Sequence, residues 1–522
     1  MLAVAFSAGL CPLGVAQAQG LLPAYGTDVR VGDLRTQFAR AFDTNPPVAS
    51  ERIWTFAPAL GISETYDSGT LVGGRYTKDY ITRVTPTLAV SADGQRIKGT
   101  FSYSPSFSYY AINGRQNGVA QNLNTNATAT LVRELLFVDL RGYASTQPLL
   151  GGQTTANGAG GQQNDVQTTS FSITPYLQHR FGDTATLYVG LTGAQNTVTS
   201  VTPKGTTAAL GGLNSKYMSK QERVALSSGP DFGRISASLE AMAIQYTGQG
   251  VYKGAHTETI TASAGYALTR MVTLTAGIGH ETIIYGPGGP KAIDGMTWNG
   301  GVRLTPNVDS TITASYGRSQ GSTSFAFDGT YAATQRIRIM ARYSQGIGTG
   351  LQNLQNAVAG SAVGPAGIPV DRISGAPVQL GNVLGQQSSV YRTTSASVNA
   401  VWQGDRDTIT VGVEKTDRLQ LSGGNAAATN LGFGSSNSVT NTLAWQHSFS
   451  EALRGGTSVQ YGTRTVPRVG GQTTKTGTLT LNYALSETLS TNALISHSET
   501  VGKTFGLPPI RDTAVVGLNK AF

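Results

Sequence analysis

From Phe101 the chain reads FSYSPSFSYY. Phe101, Tyr103, Pro105, Phe107 and Tyr109 fall on one parity, and Ser102, Ser104, Ser106 and Ser108 on the other. In a strand these are opposite faces, because successive side chains leave a pleated backbone on alternate sides. The alternation returns in TATLYVGLTG (Ala185, Leu187, Val189, Leu191) and VTLTAGIG (Val272, Leu274, Ala276, Ile278). It returns again in TITVGVEKT (Ile409, Val411, Val413) and TGTLTLNYAL (Leu479, Leu481, Tyr483). About twenty-two such runs lie between Trp54 and Phe522, each long enough for a tilted membrane strand of roughly nine to eleven residues. Tight connections such as Gly182-Asp183 and Gly404-Asp405-Arg406-Asp407 alternate with longer ones, Thr146 to Asn164 and Thr202 to Asn214. Short turns on one side and long loops on the other are the habit of outer-membrane barrels.

The composition of the second face decides between a membrane barrel and a soluble β protein. Only 13% of the residues are charged, about half the usual globular share of roughly 25%. The face opposite the apolar one is Thr, Gly and Ser. A soluble sandwich would put charge there, and a solenoid would need a fixed repeat length, which is absent. Lipid outside and a wet lumen inside account for both faces, and closure leaves no unpaired edge. No run of eighteen apolar residues follows the amino terminus, so no spanning helix is expected. The expected fold is all-β: a single closed antiparallel transmembrane β-barrel of about 20–22 strands, even in number, with both termini in the periplasm.

MLAVAFSAGLCPLGVAQAQG opens the chain with an apolar centre followed by Ala16-Gln17-Ala18, the pattern of a secretory signal peptide cleaved after residue 18, although its basic start is missing. The mature protein would then sit in the bacterial outer membrane. Cys11, the only cysteine, falls inside that signal, so the mature chain would hold no disulfide, Cys-zinc site or thiol nucleophile. Residues 19–49 read as a periplasmic segment with a short amphipathic helix (Leu34, Phe38, Phe42), and residues 50–522 as the barrel. The longest stretch without strand character, 348–388, is expected to fold into the lumen or cap the outer mouth, since loops of this length are usually functional.

The last residues, AVVGLNKAF, place Ala514, Val516, Leu518 and Phe522 on one parity. The stretch resembles the carboxy-terminal β-signal of bacterial outer-membrane proteins. That resemblance implies Val516, Leu518 and Phe522 as contacts of the barrel-assembly machinery. Lys520 departs from the pattern and is expected to snorkel toward headgroups.

Longer stretches carry a family resemblance. WTFAPALGISETYDSG from Trp54, DYITRVTPTLAVSADGQRIKGTFSYSPSFSYY from Asp79, LVRELLFVDLRGYASTQ from Leu131 and ASYGRSQGSTSFAFDGTYAATQRIRIMARYSQGIGT from Ala314 are similar to a family of bacterial outer-membrane β-barrel proteins found with PEP-CTERM and exopolysaccharide gene sets. The resemblance implies an outer-membrane barrel with a role connected to exopolysaccharide. The residues themselves support only a wide polar lumen.

Catalytic chemistry finds little footing. Gly317-Arg318-Ser319-Gln320-Gly321 fits G-x-S-x-G, but that nucleophile elbow needs a helix after it, and strand-like STSFAF follows. His179, His256, His280, His447 and His497 are scattered, none in a metal-binding pair. Gly346-Ile347-Gly348-Thr349-Gly350 lacks the Lys-Ser/Thr of a phosphate loop. We therefore expect no catalytic residues, no metal, no cofactor, no enzyme activity and no nucleic-acid partner.

The informative charges lie on strands. Parity sets Arg336, Arg338 and Arg342 opposite Ile337, Ile339, Ala341 and Tyr343. Arginine on a lipid face is costly at mid-membrane, so these three are expected in the lumen. The same test assigns Arg83, Asp139, Arg141, Arg234, Glu240, Arg303 and Glu414 to the lumen. Such a lining would favour anionic or polyhydroxylated solutes, polysaccharide among them; alternatively the charges pair with one another and stiffen the wall. Outer-membrane lipid and lipopolysaccharide are the remaining expected partners. The functional expectation is a porin-like or export channel. Its rivals are a scaffold barrel shut by its own loops and, third, an outer-membrane enzyme. A receptor with a plug domain is disfavoured by the roughly thirty residues between signal and first strand, and an autotransporter by the lack of a passenger.

Overall fold

The computed structural model of the protein describes residues 54–72, 75–148, 165–200, 215–349, 352, 361–363, 369–371, 389–422, 435–467, 469–502 and 508–522. The expected signal, the helix of residues 19–49, and most of the loops at 146–164, 202–214 and 348–388 lie outside these residues.

The staves begin with β1 (Trp54–Val72) and β2 (Arg75–Asp93). Two broken staves follow: β3 (Ile97–Tyr103 continued by Ser106–Tyr110) and β4 (Gly118–Ala120 continued by Leu123–Val132). Pro105 lies in the break of β3, where it cannot donate to the ladder. Then come β5 (Leu136–Pro148), β6 (Asp165–Phe181), β7 (Ala185–Ser200), β8 (Ser215–Ser228) and β9 (Ile235–Gly248). The middle holds β10 (His256–Ala267), β11 (Val272–Ile284), β12 (Ile293–Leu304), β13 (Thr311–Ser319), β14 (Ser322–Ala332) and β15 (Ile337–Thr349). The chain continues with β16 (Val390–Gln403), β17 (Asp407–Gln420), β18 (Ser436–Ser448) and β19 (Leu453–Val466). It finishes with β20 (Gly470–Ala484), β21 (Leu489–Gly502) and β22 (Ile510–Ala521).

The sheet's 24 hydrogen-bonded segments make a closed barrel of 22 staves, since β3 and β4 each count two segments. Every neighbour is antiparallel, and β22 returns to β1 with the register Ala59↔Ala521 through Asp67↔Thr513. At one margin the connections are short, such as 182–184 and 404–406; the other margin carries the 349–390 and 420–436 connections. The long-loop margin faces outward in bacterial outer-membrane barrels. No helix among the described residues is long and apolar enough to cross a membrane.

Outward rungs are apolar and stand in the open: Ile62, Leu239, Ile278, Leu443 and Val516 are all 48–62% exposed. Inward rungs are hydroxylated, and their side chains bond across strands. Thr174 meets Thr192 at 2.9 Å, Thr478 meets Ser496 at 3.2 Å, and Thr87 donates to Ser104 at 3.0 Å. β-Branched threonine serves both needs, since it suits a pleated backbone and pairs polar groups across it. Several inward glycines face an asparagine directly across the ladder, as in Gly412↔Asn399 and Gly277↔Asn299. A Cβ on either glycine would stand 2.5–2.6 Å from the asparagine's side-chain amide.

Candidate functional site: the lumen wall and its covered mouth

With 22 strands spaced about 4.8 Å and tilted about 40°, opposite backbones stand roughly 40–45 Å apart. Side chains alone cannot fill such a ring. Inward residues nevertheless change steadily along each strand. On β11, Thr273, Thr275 and Gly277 are half-buried, while Glu281 and Ile283 near the long loops are buried. On β20, Asn482 is exposed, Thr476 to Thr480 are half-buried, and Gln472 and Thr474 are buried. The same gradient runs along β9, from Ser236 to buried Ile244 and Tyr246. Among the described residues, inward side chains are exposed or half-buried toward the short-turn margin and covered at the long-loop margin.

Part of the cover is described. The segment between β9 and β10 turns inward through a single 3-10 turn, Gly250–Tyr252, and buries Val251, Tyr252 and Ala255. Tyr252 stacks on Tyr217 of β8 with centroids 4.4 Å apart, and its hydroxyl lies 2.6 Å from Thr349 Oγ1 at the end of β15. Thr349 in turn exchanges hydrogen bonds with Gln352: its N–H donates to Oε1 at 2.8 Å, and its Oγ1 accepts from the Gln352 N–H at 3.2 Å. The tip of the β13–β14 hairpin joins them. Gly321 N–H and Ser319 Oγ both donate to Glu281 at 3.3 Å, and Gln320 Oε1 accepts from Ile347 N–H at 2.6 Å. Thus the long 350–388 connection leaves the wall from a buried anchor, and it returns through Ser389, Val390 and Tyr391, all fully buried.

The seam has its own charge pair. Arg511 of β22 donates Nε and Nη2 to both oxygens of Asp67 on β1, at 2.9 and 2.7 Å, with both side chains buried. Asp67 stands opposite Asp79 on β2. Two buried carboxylates side by side would repel; the second is held instead by the N–H groups of Tyr80, Ile112 and Asn113.

The expected lumen residues separate into groups. Arg83 is buried in the wall and donates Nε to Ser108 at 3.2 Å. Asp139 accepts from Thr128 at 2.7 Å, with Arg141 on the same face of β5. Glu240 pairs at 3.0 Å with Arg223, which also lies over the Tyr188 ring. Beside them, Phe137, Tyr176 and Tyr188 stack in a row across three strands, centroids 5.1 and 5.3 Å apart. Arg303 faces inward opposite Thr273 and Thr313. Glu414 faces inward from β17, with Thr416 donating at 3.4 Å. Arg342 is paired with Asp328 of β14 at 2.7 Å, whereas Arg338, exposed in the lumen, has no ion pair among the described residues. Arg336 and Arg234 sit elsewhere. Both lie in turns at the short-turn margin, where Arg336 pairs with Asp405 at 2.8 Å. The parity test carried strand alternation one residue past where the strand begins.

The carboxy terminus is seated as a strand end. Val516, Leu518 and Phe522 face outward, and Phe522 N–H donates to Pro58 O at 3.0 Å. Lys520 turns its amine down to Thr488 in the adjoining turn, at 2.7 Å. Ser319 of the G-x-S-x-G stretch ends β13 at the hairpin tip and is followed by strand β14, not by a helix. No cluster of three metal-ligating side chains occurs among the described residues. Sequence reading missed the Asp67–Arg511 clamp, the tyrosine group around Tyr252 and the role of Glu281. Only contacts across the fold reveal them.

The fold has known relatives in shape. An iron transporter of Neisseria meningitidis, FrpB in its apoprotein form, aligns over 91% of this chain and 82% of its own, with 11% identity and a TM-score of 0.51. The ferric-catecholate import receptor Fiu of E. coli K12 in its open form aligns over 92% and 82%, with 11% identity and a TM-score of 0.50. At such identity the likeness concerns the barrel alone. No protein-family profile and no curated protein sequence matches the chain.

Proposed function

We propose that the protein is a conduit of the bacterial outer membrane, whose lumen takes anionic, polyhydroxylated solutes and whose outer mouth is governed by its own loops. The observation that carries this reading is the lumen itself. It is too wide for side chains to fill, its described inward residues are least buried toward the short-turn margin, and exposed Arg338 is offset by no acid among the described residues. A fixed cation lowers the cost of an anion leaving bulk water. Guanidinium groups also suit carboxylate and phosphate on a sugar polymer. The resemblance to barrels of exopolysaccharide gene sets supports passage of polysaccharide through this lumen.

A second reading has its own support. The buried anchors Thr349, Ser389 and Val390 favour a mouth held shut, hence a scaffold barrel. Planar-bilayer recording separates the two. The conduit predicts discrete conductance with a reversal potential favouring anions under a salt gradient, reduced in Arg338→Gln and Arg303→Gln. Removing residues 353–387 raises conductance if the loop narrows the mouth. Zero conductance in both parent and loop deletion would establish the scaffold instead.

A further inference from the structure

One sector of the covered mouth is buried, polar and uncharged, and its hydrogen bonds are incomplete. Asn196 of β7 faces inward and is 1% exposed, yet neither its amide nitrogen nor its amide oxygen meets a partner among the described residues. Thr168 Oγ1 of β6 and Gln221 Oε1 of β8 are buried in the same state. The Gln221 amide nitrogen reaches only the sulfur of Met242, at 3.4 Å, and a thioether is a weak acceptor. Buried polar atoms in native proteins are nearly always bonded, so such a group on three adjoining strands calls for an explanation. The register places its members. Thr168 stands opposite Val198, Asn196 opposite Ser170 and Tyr217, and Gln221 opposite Thr192. Along β7 these levels run from position 198 to position 192, roughly 20 Å of wall.

Charge and shape set what would complete these bonds. Above the Arg223–Glu240 pair, no inward side chain among the described residues of β6 to β9 is charged. An ionic ligand therefore has no counterpart there. The unmet groups are donors and acceptors together: a carboxamide needs both, a carbonyl oxygen needs a donor, and a hydroxyl serves as either. Hydroxyls spaced along one neutral molecule answer all of them. Aromatic surface lies alongside. Tyr217, directly across the ladder from Asn196, carries the Tyr252 ring on its face with centroids 4.4 Å apart, and Tyr246 meets it edge-on at 5.9 Å. A sugar ring sets its apolar C–H face on such an aromatic face and its rim of hydroxyls on neighbouring amides. Tyr252, brought in by the segment between β9 and β10, already occupies the face that a sugar would take.

We propose that the inner face of β6–β8 is a binding site for a neutral oligosaccharide, held closed by Tyr252 standing in for a sugar on Tyr217. When the Gly250–Tyr252 segment swings off, Thr168, Asn196 and Gln221 hydrogen-bond the sugar hydroxyls. The site rests on the reading that polyhydroxylated solutes enter the lumen, and it adds a neutral sector to a wall otherwise set with arginine. Isothermal titration of the detergent-solubilised full chain tests it, with maltohexaose and cellohexaose as neutral probes and hexagalacturonate as the charged one. The parent binds a neutral hexamer, and Tyr252→Ala binds it about tenfold more tightly, because the competent state no longer competes with the ring. Asn196→Leu keeps the branched outline and weakens binding about tenfold or more as the amide's bonds are lost. Its denaturant midpoint rises, since an apolar group there leaves no polar atom unmet. An Asn196 satisfied by ordered water alone gives the opposite: a lower midpoint in Asn196→Leu, and no heat from either neutral hexamer with the parent or Tyr252→Ala. That result overturns the site. Binding of hexagalacturonate in place of the neutral hexamers, weakened by Asn196→Leu, overturns the neutral class. Should Asn196→Leu fail to assemble, as judged by heat-modifiability, Gln221→Met gives the same two readouts. Titration needs no conductance, so a barrel that binds without conducting loses the conduit reading alone, and one that conducts without binding loses this site alone.

Discussion

At the scale of single residues, the costliest arrangement is at the seam. Asp67 and Arg511 are buried, and each offsets much of the cost of burying the other's charge. Removing one partner from such a pair leaves an uncompensated buried charge, which costs about 3–5 kcal/mol. Asp67→Asn should therefore lower the denaturant midpoint of the refolded barrel markedly. The double replacement Asp67→Leu with Arg511→Met should recover much of that loss, because apolar groups of similar size need no partner. Denaturation followed by the gel shift between folded and unfolded barrel measures both. Equal losses in the single and double variants would mean that the pair is incidental to closure. Neither residue stood out in the sequence. Arg511 lies 444 positions from Asp67, and alternation fixes which face a residue occupies without saying what stands across the ring.

At the scale of elements, the inward segment between β9 and β10 is the part whose ionisation can be read. Burial raises the Tyr252 and Tyr285 phenols above the ordinary tyrosine value of 10.0. Groups raised on folding contribute stability that is complete below the unfolded value. It is lost as pH climbs beyond that value toward the folded one. The mouth should therefore hold to about pH 10 and loosen in stronger alkali, with these tyrosines ionising after the exposed ones. Ultraviolet titration of the folded barrel, compared with Tyr252→Phe, checks this. The variant should drop one late-titrating phenol and, by losing the bond to Thr349, expose the mouth to protease at a lower pH. Strand positions were legible in the sequence because alternation is dense and local. The cover of the mouth was not, since Gly250–Tyr252 and the 319–322 tip are ordinary turn sequences. What sets them apart is what they meet: Tyr217, Thr349 and Glu281. The arginines divide in the same way. Arg338 and Arg342 stand on the inward face that parity assigns them, whereas Arg336 and Arg234 lie in turns, because parity does not mark where a strand starts.

At the scale of the molecule, sparse charge, apolar rungs in the open and a sheet without edges all describe one object in a bilayer. The protein should fractionate with outer membranes and give a β-dominated far-ultraviolet spectrum. It should also migrate faster unheated than heated in detergent gels. A soluble, helix-rich product would contradict the barrel reading. Closure has one more consequence. A ring has no first member: β1 is first only in the order of translation, since its hydrogen bonds to β22 are of the same kind as those between any two neighbours. Phe522 already touches Pro58, so a few residues could join the barrel's two chain ends at the short-turn margin. The covalent break could then be moved to another turn on that margin, such as 404–406, without altering a single strand pairing. Which strand leads would then be a matter of genetic bookkeeping, invisible in the finished wall.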